Sequence, residues 1–315
     1  MPRKKQTDFE WLLKHLTSLC NIAGRVGVSV ENLTYGPHTA LKIIALQVYA
    51  DTFAKIAHGP KSRSAGYDGA IYIDLFAGPG LVRCTKHGDV IAGSPLAVLK
   101  NQYQFNEYIF FEKNKERALS LQNNISSLNL GLNTKVVTGD CNTEINQELS
   151  RLKQSYRKPL LLVFVDPEGM EIKFDTLRKI SSTFRGVDYV INFPAGTKRV
   201  AGRIESGMIS DIPIFSDYFG EGAPKILDRY SKGESLEEVY RNQLAEVLGK
   251  PLGKSVEVKE SENRVVYLLL FATRMTSSGS EYVRAFEAIS KRLSKLSGVD
   301  VVDALNIIKG RQSTL

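Results

Sequence analysis

Short apolar runs bounded by polar turns alternate, through the middle of this chain, with longer segments whose apolar residues recur at three- and four-residue spacing. The short runs predict strands over residues 71–74, 108–111, 134–138, 160–165 and 189–192, of which 160–165 is apolar throughout, as a central parallel strand buried on both faces requires. Helical spacing predicts a helix over 38–57 on Leu41, Ile44, Ala45, Val48 and Tyr49. A second runs over 95–104, with Ser94 as its cap and Pro95 at its first position. Others rest on Ala118, Leu121, Ile125 and Leu128, and on Phe174, Leu177, Ile180 and Phe184. Strand and helix in alternation predict an α/β protein with a Rossmann-like, mostly parallel sheet and helices on both faces.

The pattern weakens at the two ends and in one long interval. Residues 1–37 read as a peripheral lead-in, with a short helix over 8–19 and a stretch broken by Gly24, Gly27 and Gly36. Residues 83–92 read as irregular. The expected core spans 38–197, and 198–253 interrupts the alternation as an insertion. Its one clear helix rests on Leu236, Val239, Tyr240, Leu244, Val247 and Leu248. Residues 254–315 return to complete the core with a strand over 265–273, a helix on Tyr282, Phe286, Ile289, Leu293 and Leu296, and a final strand near Val301 or Ile307.

Composition narrows the class without naming a reaction. With 315 residues, 43% hydrophobic and 24% charged, the chain can bury a substantial core. Its apolar runs are too short to span a membrane. The basic start is followed by no apolar segment of signal-peptide type, so the expected compartment is the cytoplasm. Cys20, Cys84 and Cys141 lie far apart and form no ligand-spaced group with the histidines, which argues against zinc and against a disulfide framework. The net charge of +8 favours an anionic partner such as nucleic acid.

Candidate chemistry concentrates at the carboxyl ends of the predicted strands. The run Ile71-Tyr72-Ile73-Asp74 breaks into Leu75-Phe76-Ala77-Gly78-Pro79-Gly80, a loop whose glycines let a ligand approach the backbone. A dinucleotide fingerprint would carry a third glycine where Arg83 stands, which disfavours an oxidoreductase. Asp-x-Phe-x-Gly-x-Gly instead resembles the first motif of class I S-adenosylmethionine-dependent methyltransferases. Glu112 ends the second strand and can accept from a ribose diol. Asp140 ends the third and can accept from an adenine amine, with Cys141 beside that pocket. Charge-assisted bonds of this kind contribute about 1.5–3 kcal/mol each.

Asp166-Pro167 closes the fourth strand, where a carboxylate can orient or deprotonate a methyl acceptor. Enzymes that methylate exocyclic amines commonly carry Asp/Asn-Pro-Pro-aromatic at this point, whereas Glu168-Gly169 follows Pro167 here. Cytosine C5 methylation needs a cysteine after the fourth strand, and there is none. The fifth strand ends in Asn192, a second candidate for catalysis. Phe193 could stack on a base, and Lys198, Arg199 and Arg203 could bind phosphate.

Taken in order, the helix 38–57 and the stretches 72–80, 93–96 (Gly-Ser-Pro-Leu), 108–113, 139–142 (Gly-Asp-Cys-Asn), 164–167 and 192–194 resemble the three-Cys-motif partner family (TcmP) over residues 38–200. The resemblance implies a class I methyltransferase-like fold. It implies cofactor positions at Asp74, Gly78, Gly80, Glu112 and Asp140, a catalytic position at Asp166, and a partner protein that carries the three-Cys motif. Family members often have Asp-Pro-Phe-Gly after the fourth strand, so Glu168 is a departure. Two readings stay open: a methyltransferase acting on an unidentified acceptor such as nucleic acid, and a non-catalytic subunit that docks its partner through 198–253.

Overall fold

A computed structural model describes residues 6–26, 33–86, 88–249, 252–273 and 280–311. The elements in chain order are α1 (Asp8–Arg25), β1 (Thr34–Tyr35), α2 (Thr39–Ala57), α3 (Pro60–Ser64), β2 (Gly69–Asp74), β3 (Leu81–Cys84), β4 (Val90–Ala92), α4 (Ser94–Leu99), β5 (Glu107–Glu112), α5 (Lys115–Leu128), β6 (Thr134–Thr138), α6 (Cys141–Ser155), β7 (Pro159–Val165), α7 (Phe174–Thr183) and β8 (Val187–Pro194). Next come α8 (Thr197–Glu205), α9 (Ile212–Phe219), α10 (Ala223–Ser231), α11 (Leu236–Leu248), β9 (Leu252–Ser261), β10 (Arg264–Thr273), α12 (Glu281–Leu293) and α13 (Gly298–Ile308).

Seven strands form one sheet in the order β6-β5-β2-β7-β8-β10-β9, parallel except for β10, which runs antiparallel to both its neighbours. This is the mostly parallel, Rossmann-like sheet expected. The chain enters at the centre on β2, steps outward through β5 to β6, and returns to β7 on the other side of β2. That reversal puts a crevice beyond the carboxyl ends of β2 and β7, where open α/β sheets bind ligands.

Strand alternation sorts the core into two layers. Tyr72, Leu162, Phe164, Val190 and Leu269 face α1, α2, α4, α12 and α13, whereas Ile73, Val163, Tyr189, Ile191 and Phe193 face α6, α7, α9, α10 and α11. α1 therefore belongs to the core through Trp11, Leu12, Leu16 and Leu19, and it extends past its expected end. Gly27, part of the expected glycine-broken stretch, lies outside the described residues, as do residues 250–251 at the end of the expected insertion. The expected insertion holds α9, α10, α11 and most of α8 and closes the second layer, with Phe215, Tyr218, Phe219 and Tyr240 fully buried.

Several local expectations need correction. Residues 83–84 and 90–92 are not irregular: β3 and β4 pair antiparallel, and β1 adds in parallel, with Tyr35 opposite Cys84. Cys84 takes the Gly88 N–H and gives its own to Asp89, while Arg311 grips the Asp89 carboxylate with both ends of its guanidinium at 2.8 Å. The tail is the helix α13 rather than a strand, because Ser297 and Asp300 form a capping box and Val301, Ala304 and Leu305 then share one buried face. Ser94 is the first helical residue of α4 and does not cap it, and α4 ends at Leu99. α6 and β9 have no counterpart among the expected elements. No helix of the described residues is long and apolar enough to cross a membrane.

Candidate functional site

The loop after β2 is shaped by its glycines. Gly78 and Gly80 have φ of 63° and 85°, in the left-handed region, and a Cβ on Gly80 would stand 2.9 Å from Leu121 Cδ1. Gly93 gives its N–H to Gly80 O at 2.8 Å, and a Cβ there would stand 3.1 Å from that oxygen. Two glycines thus let the loop fold back onto the start of α4.

Asp74 lies beneath this loop with no solvent exposure and lines neither lobe of the crevice. It accepts from Ser94 Oγ at 2.7 Å and Phe76 N at 3.2 Å, so it braces the turn from below. Burial is the main cause that pushes its carboxyl up to about 7; hydrogen bonds from Ser94 and Phe76 oppose the shift, and the Asp166 carboxylate adds to it.

Above the loop the crevice has two lobes that share Leu33, Tyr35, Phe76, Gly78, Asp166 and Glu168. The smaller, about 190 Å³, lies over β5 and β6 and is lined by Glu112, Asp140 and Cys141. Glu112 accepts the Gly78 N–H at 2.9 Å on Oε2 and the Asn114 N–H at 2.8 Å on Oε1, which ties β5 to the glycine loop. Each oxygen keeps a lone pair for a further donor. Asp140 caps α6 by accepting the Asn142 N–H, and Lys113 lies 3.1 Å away. Burial opposes ionisation at Asp140, yet the Asn142 hydrogen bond and the Lys113 ammonium together hold its carboxyl below the usual range. The Cys141 thiol is pushed up to about 12, first by burial and then by the Asp140 charge, and is no nucleophile near neutral pH.

The larger lobe, about 440 Å³, lies between the glycine loop, the start of α2 and the ends of β7 and β8. Asp166 and Asn192 meet there. Asp166 Oδ1 accepts from Asn192 Nδ2 at 2.8 Å and from Lys42 Nζ at 2.6 Å. Lys42 projects from α2 with its side chain 9% exposed, and its ammonium lies 5.0 Å from the centre of the Tyr267 ring. Tyr35 reaches over from β1 to donate to Glu168 at 3.2 Å, and Arg117 approaches Glu168 at 3.8 Å, so this contact divides the two lobes. Sequence reasoning passed over Lys42, Tyr35, His38 and Tyr267. Lys42 alone carried a signal, as a charge set inside an apolar helix.

The remaining expected contacts fall elsewhere. Phe193 does not face the crevice: it is one residue along β8 from Asn192, so the pleat turns it to the opposite layer, where it packs on Tyr218, Phe219 and Tyr240. Phe193 therefore cannot stack on a base held in the crevice. Lys198, Arg199 and Arg203 are exposed on α8 and line neither lobe, because α8 carries them away from the strand ends. Arg203 pairs with Asp211 at 2.7 Å, and with Arg199 it borders a separate open hollow beside Met208.

No family model matches the chain, and no curated protein does. Solved structures similar to it include a Legionella pneumophila protein of the family DUF519, at 12% identity over 79% of this chain and 92% of that one, with a TM-score of 0.46. An O-methyltransferase from Bacillus cereus in complex with S-adenosylhomocysteine aligns at 10% identity over 87% and 94%, with a TM-score of 0.38. An rRNA methylase from Streptococcus thermophilus aligns at 11% over 66% and 89%, with a TM-score of 0.33. At such scores these are likenesses in general outline and say nothing of what this chain binds or acts on.

Proposed function

We propose that the chain is a class I methyltransferase that binds S-adenosylmethionine across the glycine loop and holds a methyl acceptor at Asp166 and Asn192. The observation that carries this reading is convergence: the glycine loop, Glu112, Asp140 and Asp166 come from four separate strand ends and open onto one crevice. The residues suit the cofactor. Glu112 retains acceptor capacity for a ribose diol, Asp140 for an adenine amine, and Gly78 keeps the floor free of a side chain. When bound, the cofactor supplies an electrophilic methyl group on a sulfonium. Phe76 and the loop backbone would orient it, and Asp166, held by Lys42 and Asn192, would orient the acceptor and receive its proton. Asp74 acts indirectly, by fixing the loop.

Ultraviolet crosslinking of methyl-labelled S-adenosylmethionine tests the placement. Label should map to peptides containing Phe76 or Cys141 and be competed by S-adenosylhomocysteine but not by NAD. Glu112→Ala should weaken binding by about 2–3 kcal/mol, roughly 30- to 150-fold, since it also frees the Gly78 N–H. Label confined to other peptides, or unaffected by Glu112→Ala, would remove the reading.

A second reading keeps the fold as a non-catalytic subunit docked on a three-Cys-motif protein. It is favoured by the exposed Met208, Ile209 and Ile214 in the helical segment after β8, beside the basic face of α8.

A further inference from the structure

We infer that the acceptor is a neutral amino group on a planar heterocycle, of the kind borne by adenine and cytosine, an inference that rests on the methyl-transfer reading above. Two side chains that line the larger lobe carry hydrogen-bond acceptors that lack donors. Asn192 is 7% exposed and lines the lobe, and its Oδ1 has no partner. The orientation of that amide is forced, because the Asp166 carboxylate only accepts and so must meet Nδ2. Asp166 itself binds both its donors through Oδ1, which leaves Oδ2 without a hydrogen bond among the described residues. Two acceptors without donors, on side chains joined by the Asn192–Asp166 hydrogen bond, match the two N–H groups of an amine. A hydroxyl would satisfy one of them, and a carbon nucleophile neither.

Electrostatics separates one amine from another. An alkylammonium entering the lobe would meet the Lys42 ammonium, already placed on Asp166 at 2.6 Å, and the carboxylate charge it needs is taken. An aromatic amine is uncharged near neutral pH and avoids that repulsion. Aromatic rings border the same lobe in Tyr35, His38, Phe76 and Tyr267. The aromatic residue missing after Pro167 is thus replaced from other elements. Methylation exchanges one N–H for N–CH3, and the proton released has Asp166 Oδ2 beside it.

The test is binding to the protein saturated with S-adenosylhomocysteine, with saturation confirmed first by calorimetry. If that first titration fails, the cofactor reading fails. Once it succeeds, cytidine and adenosine are titrated against uridine, inosine and the N,N-dimethylated forms of both amino nucleosides, followed by chemical shifts of the protein. At least one amino nucleoside should bind tenfold or more tightly than its oxo and dimethyl counterparts. Asn192→Leu should erase the preference without weakening S-adenosylhomocysteine. Equal binding of the oxo or dimethyl forms, or binding by none of them, overturns the inference whether or not the variant folds.

Discussion

Replacing Asp166 by alanine is expected to lower folding stability by about 3 kcal/mol, because it strands the Lys42 ammonium in an apolar helix face and leaves the Asn192 amide without an acceptor. The pair joins α2 to the end of β7, across 124 residues of sequence. Its two halves are unequal. Lys42→Met should cost about 1–2 kcal/mol, since Asp166 is 19% exposed, keeps the Asn192 N–H and can recruit water. The double variant Lys42→Met/Asp166→Ala should recover at least about 1 kcal/mol of the sum of the singles. Urea unfolding of the three variants checks this. Strictly additive losses would mean that the two side chains do not depend on each other.

Stability should also fall with rising pH through Asp74. This carboxyl goes from an ordinary 3.8 to about 7 in the fold, chiefly because burial disfavours its charge. A raised folded pKa means that the native state binds the proton more tightly than the unfolded chain does. The contribution is complete below about pH 4 and is lost as pH rises to about 7. At 1.36 kcal/mol per unit the swing is on the order of 4 kcal/mol. Asp74→Asn keeps an acceptor for Ser94 and removes the titration. Relative to wild type it should therefore gain stability steadily between pH 4 and 7 and stay level above pH 8. A difference that does not change with pH would place the Asp74 titration outside that window.

Much of this was legible in the chain because apolar runs and glycines act locally. The parallel strands announce themselves as β-branched and leucine-rich runs, and the residues that end them, Asp74, Glu112, Asp140 and Asp166, fall at one level of the sheet by their places in the sequence. Alternation along one strand is just as legible: Asn192 and Phe193 are neighbours on β8 and cannot both face the same crevice. α6 was overlooked because Ile145, Leu149 and Leu152 make a thin apolar stripe among polar residues. β9 was overlooked because an edge strand, here with Lys254, Glu257 and Lys259 interleaved among its valines, has little continuous apolar signal.

Partners brought in from far along the chain were not legible. Tyr35 reaches the crevice only because β1 pairs with β3, and Tyr267 only because β10 enters the sheet antiparallel beside β8. Asp74 looked like a ligand contact, as an acid at a strand end does. Its role as a brace under the loop follows from the hydroxyl of Ser94, a residue whose position before Pro95 had suggested a helix cap.

The central claim, a crevice built for S-adenosylmethionine, is tested most directly by calorimetric titration of the wild-type protein with S-adenosylhomocysteine, with NAD as control. The account predicts one saturable site for S-adenosylhomocysteine and no heat from NAD. A folded protein that gives no saturable heat with S-adenosylhomocysteine, or that binds NAD in its place, would contradict it.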